Sequence, residues 1–176
     1  KEDTIATVDG KAISKSEYMV YLYEATKDFN AIGGDDIWET DFDGQPAEEV
    51  VKERAFTTML HVKVTADKAE KYQVSLSDAE KQTAKLDGDA ELASMTQEQK
   101  ELINISQEEM YHIMEETLLY QKIIYAITQD YQPSEADFNA YFEQNKQIQK
   151  NNYTQYVLNT ILVADQQTAQ EVIDRL

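Results

Sequence analysis

The sequence predicts a mainly α protein, with an N-terminal β-hairpin at one end and a C-terminal strand followed by a helix at the other. Three observations carry this expectation. Serine-led capping boxes recur at Ser14-Lys-Ser-Glu17, Ser77-Asp-Ala-Glu80 and Ser106-Gln-Glu-Glu109, each suited to satisfy orphan backbone donors at a helix start. Apolar residues fall at helical spacing through most of the chain. Near Asn151 the register changes, and Tyr156-Val-Leu-Asn-Thr-Ile-Leu-Val163 has the β-branched content of a strand.

The elements follow in order. Ile5 to Val8 and Lys11 to Ile13 are strand-like runs around Asp9-Gly10, a pair that suits a two-residue hairpin because both positions tolerate positive φ. Ser14 and Glu17 then open a helix whose face is Tyr18, Tyr21, Leu22, Ala25 and Phe29, fading near Ala31. From Ile32 to Pro46 the Gly and Pro content predicts an irregular acidic loop, which holds Trp38, the only tryptophan, beside Ile37 and Phe42. A long helix is expected after Pro46 to about Tyr72, the proline near its start fitting the preference for proline at the first helical position, with Val50, Ala55, Met59, Val62 and Ala66 among its apolar residues. Two capped helices follow, and between them Leu86 to Met95 reads as less regular, with Gly88 an interruption.

The helix after Ser106 is the strongest in the chain. Met110, Ile113, Met114, Thr117, Ile124 and Ile127 mark one side, and Leu118, Leu119, Ile123 and Tyr125 widen the stripe, which implies packing on more than one neighbour. Pro133 stops it. Ser134-Glu-Ala-Asp137 starts a shorter helix with Phe138, Tyr141 and Phe142, and Asp165 caps a last one with Ala169, Val172, Ile173 and Leu176. Two domains result: residues 1–150, helical, and residues 151–176, the opening strand and helix of a second. There is no internal repeat.

Composition narrows the function. The chain has 16 Lys and Arg against 34 Asp and Glu, a formal net charge of -18. Nucleic-acid binders need a basic face to displace counterions from phosphate, so nucleic acid is excluded as a partner. An electrostatic anchor on anionic lipid is excluded for the same reason. With no cysteine there is neither a disulfide scaffold nor a thiolate metal site. A mean hydropathy of -0.62 leans toward disorder, and the helical periodicity is what argues for a fold.

Motif chemistry is sparse. Glu39, Asp41, Asp43 and Gly44 fall at EF-hand positions 1, 3, 5 and 6, but position 12, which needs a bidentate glutamate, is Val50. A solvated acidic loop is the expectation. Glu109-x-x-His112 has the spacing of a di-metal helix, yet the other histidine, His61, has Thr58 at the matching place. His112 reads as a surface histidine among Glu108, Glu109, Glu115 and Glu116. No phosphate loop or nucleophile elbow is present, so no catalytic residue, metal or cofactor is expected.

The order of the pieces resembles the extracytoplasmic foldases of the PrsA and SurA type, peptidyl-prolyl isomerases of the parvulin family. Val8-Asp-Gly-Lys-Ala-Ile-Ser-Lys-Ser-Glu-Tyr18 resembles the hairpin and first helix of their N-terminal chaperone domain. Glu49 to Leu60, running on through Ala69-Glu-Lys-Tyr-Gln-Val-Ser-Leu-Ser-Asp-Ala-Glu80, resembles their long helix and the capped helix after it; the family usually has glycine where Gln73 stands. Pro133 to Glu143 resembles the helix leading into the parvulin domain. Ile161-Leu-Val163 with Ala169 to Leu176 resembles that domain's first strand and helix. Thr160 stands where parvulins commonly have histidine, and the rest of that domain lies outside this sequence.

The resemblance implies a SurA-N-like helical domain joined to the start of an α+β parvulin domain. It implies an exported foldase of the cell envelope, outside the bacterial plasma membrane and often lipid-anchored through an N-terminus beyond this chain. Its partners would be unfolded or partly folded secreted polypeptides. The parent would be a prolyl isomerase, with this chain inactive alone. Trp38 and Phe42 are the expected client contacts. The alternative is a structural module that holds a neighbouring domain or a homodimer partner without binding clients.

Overall fold

The computed structural model describes residues 3–153 and 160–175. Strands β1 (Thr4–Val8) and β2 (Lys11–Ser14) pair antiparallel, with Val8 opposite Lys11. Asp9 and Gly10 therefore make a two-residue turn, both at positive φ (48° and 82°), as type I′ geometry requires. The Lys15 N–H donates to the Asp3 carbonyl at 2.9 Å and ties the hairpin to the helix that follows. Ile13, almost fully buried, anchors β2 in the core.

Helix α1 (Lys15–Gly33) is capped by Ser14, whose Oγ accepts from the Glu17 N–H at 3.1 Å. The reciprocal half of the expected box is not what Glu17 does: its carboxylate pairs with Lys63. The segment expected to be irregular is ordered, as a 3-10 turn (Gly34–Glu39) and a second hairpin, β3 (Asp41–Phe42) with β4 (Gln45–Pro46). Asp43 and Gly44 repeat the Asp-Gly turn at positive φ, and Asp41 Oδ1 accepts from the Gly44 N–H at 2.6 Å. Flanking strands of only two residues hid this hairpin from a periodicity reading.

Helix α2 (Ala47–Ala66) starts after Pro46, as expected. Pro46 is its N-cap, in extended geometry, and also the end of β4. The helix stops short of Tyr72, but hydrogen-bonded turns continue to Gln73, where the Val74 N–H reaches the Ala69 carbonyl (3.0 Å) and the Gln73 N–H reaches Glu70 (3.1 Å). That pair of bonds is a Schellman closure, and Gln73 holds its left-handed position at φ 54°.

Helices α3 (Asp78–Ser94), α4 (Gln97–Ile103) and α5 (Gln107–Thr128) follow. The boxes at Ser77 and Ser106 are complete, and an unanticipated third, Thr96 with Gln99, starts α4. Gly88 does not interrupt α3. It is buried where α3 crosses α5, and a Cβ there would lie 2.9 Å from Tyr111 Cδ1. The irregularity expected from Leu86 to Met95 reflects this need for close approach.

The core collects Ile13, Val20, Tyr21, Ala25, Phe29, Ile37, Val51, Ala55, Met59, Val62, Met95, Ile103, Met110 and Ile113. Contacts divide the chain into Lys1–Tyr131 and Gln132–Leu176. The second unit holds α6 (Glu135–Tyr153) and α7 (Gln166–Ile173). Ser134 and Asp137 cap α6 reciprocally, and Asp165 Oδ1 accepts from the Thr168 N–H at 2.9 Å to cap α7. Of the strand expected over 156–163, residues 156–159 lie outside the described residues. Thr160 to Val163 form no strand among the described residues, where no ladder partner takes up their backbone, and Leu162 is 99% exposed. The architecture is mainly α with an N-terminal hairpin.

Two expectations follow for stability. Gln73→Gly removes the left-handed penalty of an L-residue, partly offset by the freer unfolded glycine, so we expect a gain of about 0.5–1 kcal/mol in urea unfolding. Gly88→Ala gains helix propensity of ~1 kcal/mol but forces α3 away from the Tyr111 ring, whose hydroxyl is held by Asp89 at 2.6 Å. We expect a net loss of about 1–2 kcal/mol in the same assay.

Candidate functional site

A mainly apolar groove of about 380 Å³ opens in the first unit. Four helices line it: Val20, Tyr21 and Glu24 from α1, Thr58 and Val62 from α2, Asp87 and Glu91 from α3, and Ile113, Met114, Thr117, Tyr120 and Gln121 from α5. Its origin is in the packing order. Helix α1 packs along α2, α2 along α5, and α5 along α3, while α1 meets α5 at few positions. Buried Val20, Val62 and Ile113 form the floor, and the exposed Thr58, Asp87 and Gln121 stand at the mouth.

Two polar features mark this groove. Tyr21 is only 7% exposed, and its hydroxyl lies near that of Thr117 without a well-formed hydrogen bond. Burial holds the phenol well above its ordinary value, partly offset by the Thr117 hydroxyl. Across one end, α1 and α3 are joined by polar groups: Lys27 Nζ lies 3.1 Å from Glu24 Oε1 and 2.9 Å from Glu91 Oε1. Partial burial, then the hydrogen bond to Glu91, pushes Glu24 up to about 7. Burial works against the Glu91 anion, but hydrogen bonds from Glu24 and Lys27 outweigh it and hold Glu91 below its ordinary value.

A second charged cluster lies beneath the first hairpin. Lys63 sits between Glu17 and Glu116, at 2.5 Å from Glu116 Oε2, all three side chains about 15% exposed or less. Burial disfavours the Lys63 ammonium, yet hydrogen bonds to the two carboxylates raise it above its ordinary value. His112 Nε2 is 3.3 Å from the other Glu116 oxygen and is largely exposed, matching the surface histidine expected. Glu109 serves the Ser106 cap. No group of three or more His, Asp or Glu placed to hold a metal occurs among the described residues, and no helix there is long and apolar enough to cross a membrane.

The structure brings Trp38 and Phe42 together, but against Phe29. The ring centroids are 6.1 Å (Trp38) and 5.9 Å (Phe42) from that of Phe29, and Trp38 Nε1 donates to Asn30 Oδ1 at 2.7 Å. Both are half-buried, and neither lines the groove. Of the groove residues, Tyr21, Val62, Ile113, Met114 and Thr117 carried a helical-face signal in the sequence. Glu24, Asp87 and Glu91 carried none, since only the long-range pairing of α1 with α3 brings them together.

No family model matches the chain, and no solved structure matches it. It is 23% identical over 176 residues to the foldase protein PrsA of Caldanaerobacter subterraneus subsp. tengcongensis, an alignment covering 99% of this chain and 52% of that relative. The chain thus spans about half the length of the curated relative it matches. The likeness runs through the hairpin, the groove helices and the second unit alike, and it supports a PrsA-like protein at most.

The Glu24–Glu91 pair gives a pH signature. Glu24 ordinarily titrates near 4.5 and here near 7, so between those values the native state holds more protons than the unfolded one. Its contribution is present below pH 4.5 and is lost as pH rises through about 7. Glu24→Gln keeps a neutral hydrogen-bonding group. We expect its urea midpoint to fall less than that of the native chain between pH 5 and pH 8, and equal slopes would refute the assignment.

Proposed function

We propose that this chain is the helical, chaperone-type part of an extracytoplasmic foldase. It holds unfolded or partly folded secreted polypeptides in the groove among α1, α2, α3 and α5, without covalent chemistry. The observation that carries this reading is the groove itself, open to solvent and walled by half-exposed Met114 and Tyr120 above the buried Val20, Val62 and Ile113. Its volume is on the scale of a site for a small ligand or a few side chains, about 300–1,000 Å³, not for a folded surface. Met114 and Tyr120 give the wall adaptable, amphipathic side chains. The likeness to a PrsA foldase supports the same class of role, and with it a place in the cell envelope.

Trp38 and Phe42 are proposed as a second client contact, through the ring faces that Phe29 leaves open. Residues 151–176 are proposed as the beginning of a parvulin-like domain, and no described residue is assigned a part in isomerisation. One observation favours the scaffold alternative. Helix α6 exposes Phe138, Tyr141, Phe142 and Ile148 at helical spacing, a stripe that could dock on another domain or copy. Under that reading, sedimentation shows a defined assembly and client assays show nothing.

The deciding experiment is light scattering from an aggregating unfolded client with increasing amounts of this chain. We expect suppression near stoichiometric ratio. Thr58→Glu at the groove mouth and Met114→Asp on its wall, each shown folded by circular dichroism, should lower it severalfold. Full suppression by both variants would move client binding out of the groove.

A further inference from the structure

The charged residues lining the groove are all acidic: Glu24 from α1, and Asp87 and Glu91 from α3. Lys27 beside them is already shared between Glu24 and Glu91. Asp87 is exposed at the mouth. An apolar groove is thus bordered on two helices by carboxylates, and the buried Tyr21 hydroxyl, held only weakly by Thr117, stands in the wall.

We propose that the groove selects polypeptide segments in which one or two large apolar side chains are followed closely by lysine or arginine. The apolar side chains would lie over Met114 and Tyr120, above the buried Val20, Val62 and Ile113, and the cation would meet the exposed Asp87. This rests on the reading of the groove as the client site and specifies its client. The physical reason is desolvation. An occupant covers the carboxylates along the rim, which is costly if they stay unpaired and favourable if it brings its own cation. An acidic or neutral flank leaves that cost in place. The chain's charge of -18 draws basic segments toward every face alike, so a rim effect must be separable from the bulk field.

The test uses three fluorescently labelled unstructured peptides with one apolar core and flanks of Lys, Ser or Glu, titrated with this chain at low salt. We expect the Lys peptide to bind between about three- and tenfold more tightly than the Ser peptide, and the Glu peptide more weakly still. Asp87→Lys should abolish the preference. Glu53→Lys, the same charge change at an exposed α2 residue outside the groove lining, should leave it. Equal binding of all three peptides, blocked by Thr58→Glu, overturns the cationic selection while the groove stands as the client site. A preference that survives Asp87→Lys unchanged also overturns the rim assignment and leaves only the bulk field. Failure of every peptide to bind removes both this proposal and the groove reading beneath it.

Discussion

Helix α2 is the wall against which the rest of residues 3–131 is arranged. Its stripe of Val51, Ala55, Met59 and Val62 is buried to within 2% of complete, and α1 and α5 both pack along it. Beside the stripe, Lys63 holds one carboxylate from each of those helices, Glu17 and Glu116. Without the ammonium, two largely buried carboxylates would face one another, a cost of about 3 kcal/mol or more. The pairing therefore fixes how α1 and α5 are rotated against α2. It also explains why Glu17 abandons the cap of its own helix: one backbone N–H at a solvent-accessible helix start costs less to leave to water than a lysine between two helices costs to leave unpaired.

That arrangement produces the groove. Two helices that share one wall and barely touch each other leave a wedge between them, and α3, carried on α5, forms its far side. The α3–α5 contact is close because Gly88 lets the Tyr111 ring approach, whereas the link from α3 to α1 is the polar bridge of Lys27 with Glu24 and Glu91. An interface made of charges at the edge of water contributes little and adapts readily. The wedge is bounded on one side by close packing and on the other by a bridge that can rearrange.

Much of this was legible in the sequence, and the reason is local. Capping at Ser14, Ser77, Ser106, Ser134 and Asp165 and the turn at Asp9-Gly10 depend on residues within a few positions of one another. Thr96-Gln-Glu-Gln99 obeys the same rule and was missed only because its helix has seven residues. Gly88 shows where local reading fails, since the same residue signals a break or a close crossing and only the partner helix decides. Gln73 shows the reverse. The glycine usual in the resembled family marks a left-handed position, and the structure places a non-glycine residue there at φ 54°. The site divides in the same way: the apolar wall of the groove was visible as the faces of α1, α2 and α5, while the acidic rim depends on pairing residues more than sixty positions apart.

The open state of the groove and its selectivity have a common physical source. Folding α1 further over α3 would bury more of the half-exposed Met114 and Tyr120, which hydrophobic transfer favours. It would also bring Glu24, Asp87 and Glu91 closer together in a less solvated space, with Lys27 as the only cation in the bridge. Burial, and then the hydrogen bond to Glu91, already pushes Glu24 up to about 7, so closure would add to a desolvation cost the pair already bears. Closure on an empty groove is opposed by the same carboxylates that a cationic segment would neutralise. An apolar surface that cannot collapse on itself stays available to a client, and one bordered by unneutralised acid discriminates among clients by charge.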